Sequence, residues 1–308
     1  MAASYFTGGG GWRYGLVGQT EEIRNCRLCG HRCGVNRLAG ERGLCRAGAD
    51  IEIASYCLHH GEEPIISGTQ GSGTIFFARC SLRCVFCQNY QISTGIRDTG
   101  IRETGLVEIM LELQAQRAHN INLVSPTHYG PQIIEAIKQA RAQGLKLPIV
   151  WNSSGYDSLE LLEALTGMVD IYLPDFKYGD DEAALKYSGA PNYFETAKAA
   201  IFEMFRQVGP QGLVVRHLVL PNGISGSRQV LGYLASLSPE IQVSLMAQYS
   251  PRHLASQFPE LSRTLTIEEY TPVLAYAEKL GLRNIFAQEL TSQQAYLPDF
   301  ERTEPFSK

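Results

Sequence analysis

No stretch of this sequence holds eighteen or more apolar residues in a row, so no membrane-spanning helix is expected. The opening residues, MAASYFTGGGGWRYG, lack a basic segment leading into an apolar one, and no secretory signal is read there. Charge is scarce. Asp, Glu, Lys and Arg make up 19% of 308 residues and sum to −4, which argues against a nucleic-acid surface or an anionic-membrane surface. No glycine-rich dinucleotide fingerprint follows any strand candidate, which disfavours a Rossmann sheet. No cysteine follows Cys87. These absences lead to the expectation of a cytoplasmic globular protein without nucleic-acid or membrane partners.

The eight cysteines all lie between Cys26 and Cys87. A chain of this length without an export signal is a poor candidate for a disulfide scaffold, and clustered cytosolic thiols more often bind metal. Texture divides the chain into four parts. Residues 1–20 are Gly-rich and expected to be flexible, and 21–72 read as a small loop-rich, Cys-rich metal-binding module. Residues 73–290 alternate apolar runs with amphipathic helices, and 291–308 form a C-terminal tail.

The apolar runs are 74–78, 121–125, 148–152, 169–174, 213–220 and 241–249, with 283–288 a further candidate. Between them PQIIEAIKQARAQG places Ile133, Ile134, Ile137 and Ala140 at i, i+1, i+4 and i+7 on one helix face, with Pro131 in the first turn and Gly144 as the stop. NYFETAKAAIFEMFRQVG does the same with Phe194, Ala197, Ile201 and Met204, ending at Gly209. Strand–helix alternation at this spacing predicts βαβ units, a parallel sheet and an α/β class. Without the dinucleotide fingerprint, a barrel or partial barrel is favoured over a Rossmann sheet, with reactive groups at the C-terminal strand ends.

Cys80, Cys84 and Cys87 follow the first of these runs in the segment ARCSLRCVFCQNY. Thiolates suit zinc, copper(I) or iron–sulfur clusters. Structural zinc closes its shell with four protein ligands, and a [4Fe–4S] cube normally takes four cysteines. Three thiolates on a cube leave one iron open.

The spacing C-x3-C-x2-C, with Phe86 before the last cysteine, closely resembles the signature of the radical S-adenosylmethionine (SAM) superfamily. That resemblance implies a [4Fe–4S] cluster whose open iron is chelated by SAM. Reductive cleavage of SAM then releases a 5′-deoxyadenosyl radical that abstracts hydrogen. GEEP (61–64), GSGTIFF (71–77), LRCVFCQN (82–89) and LMAQYSP (245–251) resemble a PflX-type subgroup related to pyruvate formate-lyase activating enzyme. The resemblance spans roughly residues 24–290. It implies an α/β fold with a partial (βα)6 TIM-like barrel beside the small N-terminal Cys-rich metal-binding module. It also implies a glycyl-radical-type partner protein or a small-molecule substrate, with flavodoxin or ferredoxin as electron donor.

Carried over by that resemblance, Phe86 and Asn89 neighbour the cofactor. The family's Gly-Gly-Glu stretch, which holds the methionine amino group, falls on SPTH (125–128), where Thr127 and His128 are the available acceptors. WNSSG and LPDFK offer Asn152, Ser153 and Asp175 for SAM or a monovalent cation, and Lys177 for a substrate carboxylate. In the next run Arg216 and His217 must face opposite sides by period-2 alternation. Arg216 is the candidate for a methionine carboxylate. His217, Gln248, Tyr249 and Cys57 are substrate-facing candidates, and Met246 a surface for adenine.

CRLCGHRCGVNRLAGERGLC supplies Cys26, Cys29, Cys33 and Cys45. Four thiolates suit a closed zinc shell or an auxiliary [4Fe–4S] cluster, and the spacing does not choose between them. Three functional readings stand: a glycyl-radical activating-type enzyme, a radical SAM enzyme acting on a small molecule or installing another modification, and a non-catalytic iron–sulfur or zinc protein.

Overall fold

Short runs rich in Ile, Val, Leu and aromatic residues form the strands. The computed structural model describes residues 20–94, 105–294, 297–302 and 305–306. The flexible N-terminus expected for 1–20 lies outside them apart from Thr20. The strands are β1 (Ile53–His59), β2 (Ser72–Phe77), β3 (Ile121–Val124), β4 (Ile149–Asn152), β5 (Ile171–Tyr172), β6 (Val214–Leu218), β7 (Gln242–Met246) and β8 (Asn284–Ala287). Strands β2 to β5 pair in parallel and in sequence order, as do β6 to β8. Parallel bridges Tyr172–Leu213 and Asp175–Arg216 link the two sets.

Residues 53–59, read from the sequence as part of a loop-rich segment, form β1, which pairs antiparallel with β2. Its burial is intermediate through the middle, so no clean alternation marked it.

The helices are α1 (Thr20–Arg24), α2 (Pro64–Ser67), α3 (Tyr90–Ser93), α4 (Leu106–Ala115), α5 (Gly130–Ala142), α6 (Leu159–Ala164), α7 (Asp181–Ser188), α8 (Tyr193–Val208), α9 (Ser227–Leu237) and α10 (Ile267–Lys279). Ordinary end signals set their limits. Asp180 caps α7 through the Ala183 amide at 2.7 Å, Thr266 and Glu269 make a capping box on α10, and Gly144 takes φ +99° just beyond α5. Crossovers such as α5 and α8 bury Ile133, Ile137, Ile201 and Met204 against the outer strand face.

The inner face is different. Ile66 of α2 is fully buried against Val150, Leu173 and Val214, with Ile65 beside it. Because α2 precedes β2, it closes the N-terminal end of the parallel strands. The opposite, C-terminal end stays open and carries polar residues. No helix among the described residues is long and apolar enough to cross a membrane.

Candidate active site

The cysteine loop leaves β2 through a backbone turn that ordinary residues avoid. Arg79 has φ +71°, and its guanidinium bonds Glu52 at 2.6 Å while its amide donates to the Ile92 carbonyl at 2.8 Å. A non-glycine residue in that region is strained, and these bonds hold it there. The turn throws Cys80, Cys84 and Cys87 into one cavity of about 670 Å³ at the C-terminal strand ends.

The sulfurs have hydrogen-bond partners. Leu82 N donates to Cys80 Sγ at 3.4 Å, Ser188 Oγ to Cys84 Sγ at 3.0 Å, and the Ser93 hydroxyl lies 3.4 Å from Cys87 Sγ. Burial pushes all three thiols up, Cys87 to about 12, with the neighbouring Cys84 adding to it. Left to themselves they stay protonated. A bound metal centre is what deprotonates such thiols.

Strand ends complete the wall. Asn152, Asp175, Lys177, Arg216, Ser244, Met246 and Gln248 all line the cavity, with Phe86 and Asn89 from the cysteine loop. Lys177 bonds Asp175 at 2.6 Å. Burial opposes the Lys177 charge, but Asp175 and Cys84 outweigh it and hold the ammonium above its ordinary range.

Deeper down, Arg216 donates to Glu63 through Nε at 2.8 Å and Nη2 at 2.6 Å, and Nη2 also meets Glu62. Asn122 Nδ2 donates to Glu62 at 3.1 Å. Burial works against the Glu63 charge, yet Arg216 keeps its carboxyl below the usual range. The guanidinium expected to meet a methionine carboxylate is thus already clasped by two carboxylates of the chain.

Several candidates fall outside the cavity. Thr127 donates to the buried Asp157 carboxylate at 2.8 Å. His128 Nε2 lies 2.9 Å from the Ala78 carbonyl, and burial drives its pKa down to about 3. The loop instead presents Ser125, at φ +58°, to the cavity. Ser153 reaches the cavity wall, but its hydroxyl donates to Asp157 at 2.5 Å.

His217 turns to the outer face between Phe176 and Ser227, opposite to Arg216. Cys57 packs against Phe76, Ile92 and Phe300 rather than lining the cavity. Tyr249 lines it with its ring, while its hydroxyl is spent on the Leu261 carbonyl at 2.6 Å. The C-terminal tail also contributes, since Phe306 lines the cavity and sits 4.0 Å, centroid to centroid, from His59.

The N-terminal cysteines sit against the same end of the sheet. Cys29 bridges to Asp157, Gly30 N donates to Tyr156 O at 3.0 Å, and the His31 ring lies 2.9 Å from Ser81 O beside Cys80. Cys26, Cys29 and Cys45 are buried, Cys33 is exposed, and none forms a disulfide. Burial pushes the Cys29 thiol up to about 12, with the His31 amide opposing. As the side chains stand, no three His, Cys, Asp or Glu among the described residues converge closely enough to hold a single metal ion.

Residues 74–227 match the Radical SAM superfamily as a sequence family. The chain belongs to the radical SAM superfamily. A curated relative from Methanocaldococcus jannaschii, described as uncharacterized protein MJ0674, is 33% identical over 273 residues, covering 86% of this chain and 77% of its own. Among solved structures, the X-ray structure of the FeFe-hydrogenase maturase HydG from Carboxydothermus hydrogenoformans aligns over 67% of this chain with a TM-score of 0.50 and 14% identity. This chain spans 50% of that one, and the likeness is one of fold. A structure of TYW1 with a lysine-pyruvate adduct bound aligns over 68% of this chain and 74% of that chain, at a TM-score of 0.39 and 13% identity.

Superfamily membership implies a [4Fe–4S] cluster and SAM. The loop of Cys80, Cys84 and Cys87 fits that cluster: three soft donors share one cavity, each sulfur has a hydrogen-bond partner, and Lys177 lies close enough to favour thiolate at Cys80 and Cys84.

Proposed function

We propose that this protein cleaves SAM at a cluster held by Cys80, Cys84 and Cys87, and takes a hydrogen atom from a substrate group reaching into the cavity beneath it. The observation that carries the reading is that the three thiols and the Asp175–Lys177 and Glu62–Glu63–Arg216 groups line a single cavity of about 670 Å³. When bound, the cluster supplies one electron to SAM, and so a 5′-deoxyadenosyl radical.

The chain's own residues position and exclude. Ser188 and the Leu82 amide stabilise thiolate at Cys84 and Cys80. Asn152, Asp175 and Met246 are the groups offered to SAM or to a monovalent cation, while Phe76, Phe86 and Phe306 limit access of water. Consecutive parallel strands around a plugged N-terminal end support a partial (βα)6 barrel, with residues 21–72 carrying the Cys-rich module. The proposal places the protein in the cytoplasm, with flavodoxin or ferredoxin as electron donor.

The glycyl-radical activating-type reading rests on the sequence resemblance of the PflX type. The charged floor of the cavity favours the second reading, a small polar substrate, because buried carboxylates and a guanidinium recognise complementary polar groups. The test is anaerobic reconstitution followed by reduction and measurement of 5′-deoxyadenosine. Wild type is expected to form it, and Cys84→Ala is not. Equal traces in both proteins would remove the enzyme reading. A glycyl radical signal on adding a partner enzyme would choose activation over small-molecule chemistry.

A further inference from the structure

Arg37 is 4% exposed, yet among the described residues no carboxylate lies within ion-pair distance of it. Its guanidinium faces sulfur instead. Nη2 donates to Cys26 Sγ at 3.0 Å and to Cys45 Sγ at 3.6 Å, Nη1 donates to the His128 carbonyl at 2.5 Å, and Nε has no partner. A guanidinium does not lose its proton in a protein, so burying one against neutral thiols leaves an uncompensated charge. The charge is compensated if the sulfurs are thiolates. Buried thiolates in turn persist when a metal holds them.

We infer that Cys26, Cys29, Cys33 and Cys45 form a four-thiolate metal centre for which Arg37 is the built-in counter-cation. Four thiolates outweigh a divalent ion by two charges, and Arg37 offsets part of that surplus through N–H···S bonds.

The fold prepares the place in two further ways. Asn36 caps the short turn Arg37–Ala39 by accepting from the Ala39 amide at 3.1 Å, which fixes the start of the Arg37 side chain. Gly43 lies so close to Cys33 that a Cβ there would come within 2.6 Å of the Cys33 sulfur. Only a residue without a side chain leaves that sulfur the place it occupies. In the structure Cys33 is exposed and no three of the four sulfurs converge on a common point, so binding a metal requires all four to be drawn together, with Arg37 at the rim.

The bond from Arg37 to the His128 carbonyl gives the centre a second effect. It ties the metal-loaded module to the loop after β3, whose Ser125 lines the cavity. Arg37 is therefore a positioning residue for both.

This inference rests on the metal-bearing module and not on the radical chemistry, and its test keeps the two apart. The full chain carrying Cys80→Ala, Cys84→Ala and Cys87→Ala is purified without oxygen and assayed for zinc, iron and sulfide. It is expected to retain either about one zinc or about four irons with sulfide per chain. Either result supports the centre and names its metal. Adding Cys29→Ser should remove that metal.

In the same background Arg37→Met should release the metal to a chelator about 10-fold more readily, and Arg37→Lys should recover part of the loss. A triple variant holding neither zinc nor iron overturns the centre. Folded Arg37→Met with unchanged chelator resistance overturns the role of Arg37. If Arg37→Met does not fold, Arg37→Lys with its metal less firmly held than in the parent supports the role, and no difference from the parent overturns it.

Discussion

Arg216 on β6 and Glu63 just before α2 face each other through two hydrogen bonds, at 2.8 and 2.6 Å, across 153 residues of sequence. With Glu62 on the same guanidinium, one cation serves two buried carboxylates. Removing it strands both.

Arg216→Met is therefore expected to cost about 3–5 kcal/mol, the usual penalty for breaking one side of a buried pair. Urea unfolding of the variant measures it. Converting Glu62 and Glu63 to Gln in the same chain should recover a large part, since the stranded charges are then gone. An unchanged unfolding midpoint for Arg216→Met alone would show that water reaches these carboxylates freely.

Ser188 is fully buried and donates to Cys84 Sγ at 3.0 Å. Hydrogen bonds to cluster sulfurs raise the reduction potential by stabilising the electron-rich state. Ser188→Ala is expected to keep its iron but shift the cluster to a more negative potential, with slower formation of 5′-deoxyadenosine. A redox titration followed by electron paramagnetic resonance reads the shift, and an unmoved potential would count against the contact.

Gly155 takes φ +70°, and a Cβ there would strike the Asp175 carbonyl oxygen. Gly155→Ala has to displace the loop that carries Asp175 and Lys177. Overpacking of this kind costs about 1–3 kcal/mol, with the left-handed backbone adding to it. The expected result is a lower melting temperature together with weaker binding of SAM, measured by equilibrium dialysis. Normal affinity in the destabilised variant would separate Asp175 from the cofactor site.

The three cysteines and the outer helix faces were legible because local spacing carries them: C-x3-C-x2-C lies within eight residues, and Ile133, Ile137 and Ala140 repeat at helical period. The alternation argument also separated Arg216 from His217. It could not say what Arg216 would meet. Glu62 and Glu63 enter the cavity only because α2 plugs the N-terminal end of the strands, a contact set by three-dimensional packing. Thr127 and His128 lie outside the cavity for a related reason. Asp157, unmarked by any motif, draws in the hydroxyls of Thr127 and Ser153 and the Trp151 indole N–H at 3.2 Å, so the loop after β3 turns its polar groups inward to the protein and leaves Ser125 at the cavity. Arg37 is similar: no motif marks it, and only burial places it among sulfurs.

His217 gives a pH dependence whose sign is fixed by its hydrogen bonds. The Phe176 carbonyl, 2.7 Å from Nδ1, can only accept, so Nδ1 carries the proton and Nε2 accepts from Ser227 Oγ at 2.8 Å. Burial lowers its pKa to about 4, with the Phe176 carbonyl opposing and Lys177 adding. In the unfolded chain the same ring titrates near the ordinary value of about 6.5. Below that pH the unfolded state takes up a proton that the native state refuses until about 4, so this contribution is complete above about 6.5 and falls as the solution is acidified. The slope approaches about 1.4 kcal/mol per pH unit, or about 2 kcal/mol between pH 7 and pH 5. His217→Gln keeps a donor for Phe176 but cannot titrate. Urea unfolding at the two pH values should show wild type losing about 2 kcal/mol more than the variant. Because His128 remains buried in both proteins, it cancels in the comparison, and equal losses would mean that His217 takes up its proton at the same pH in the native and unfolded states.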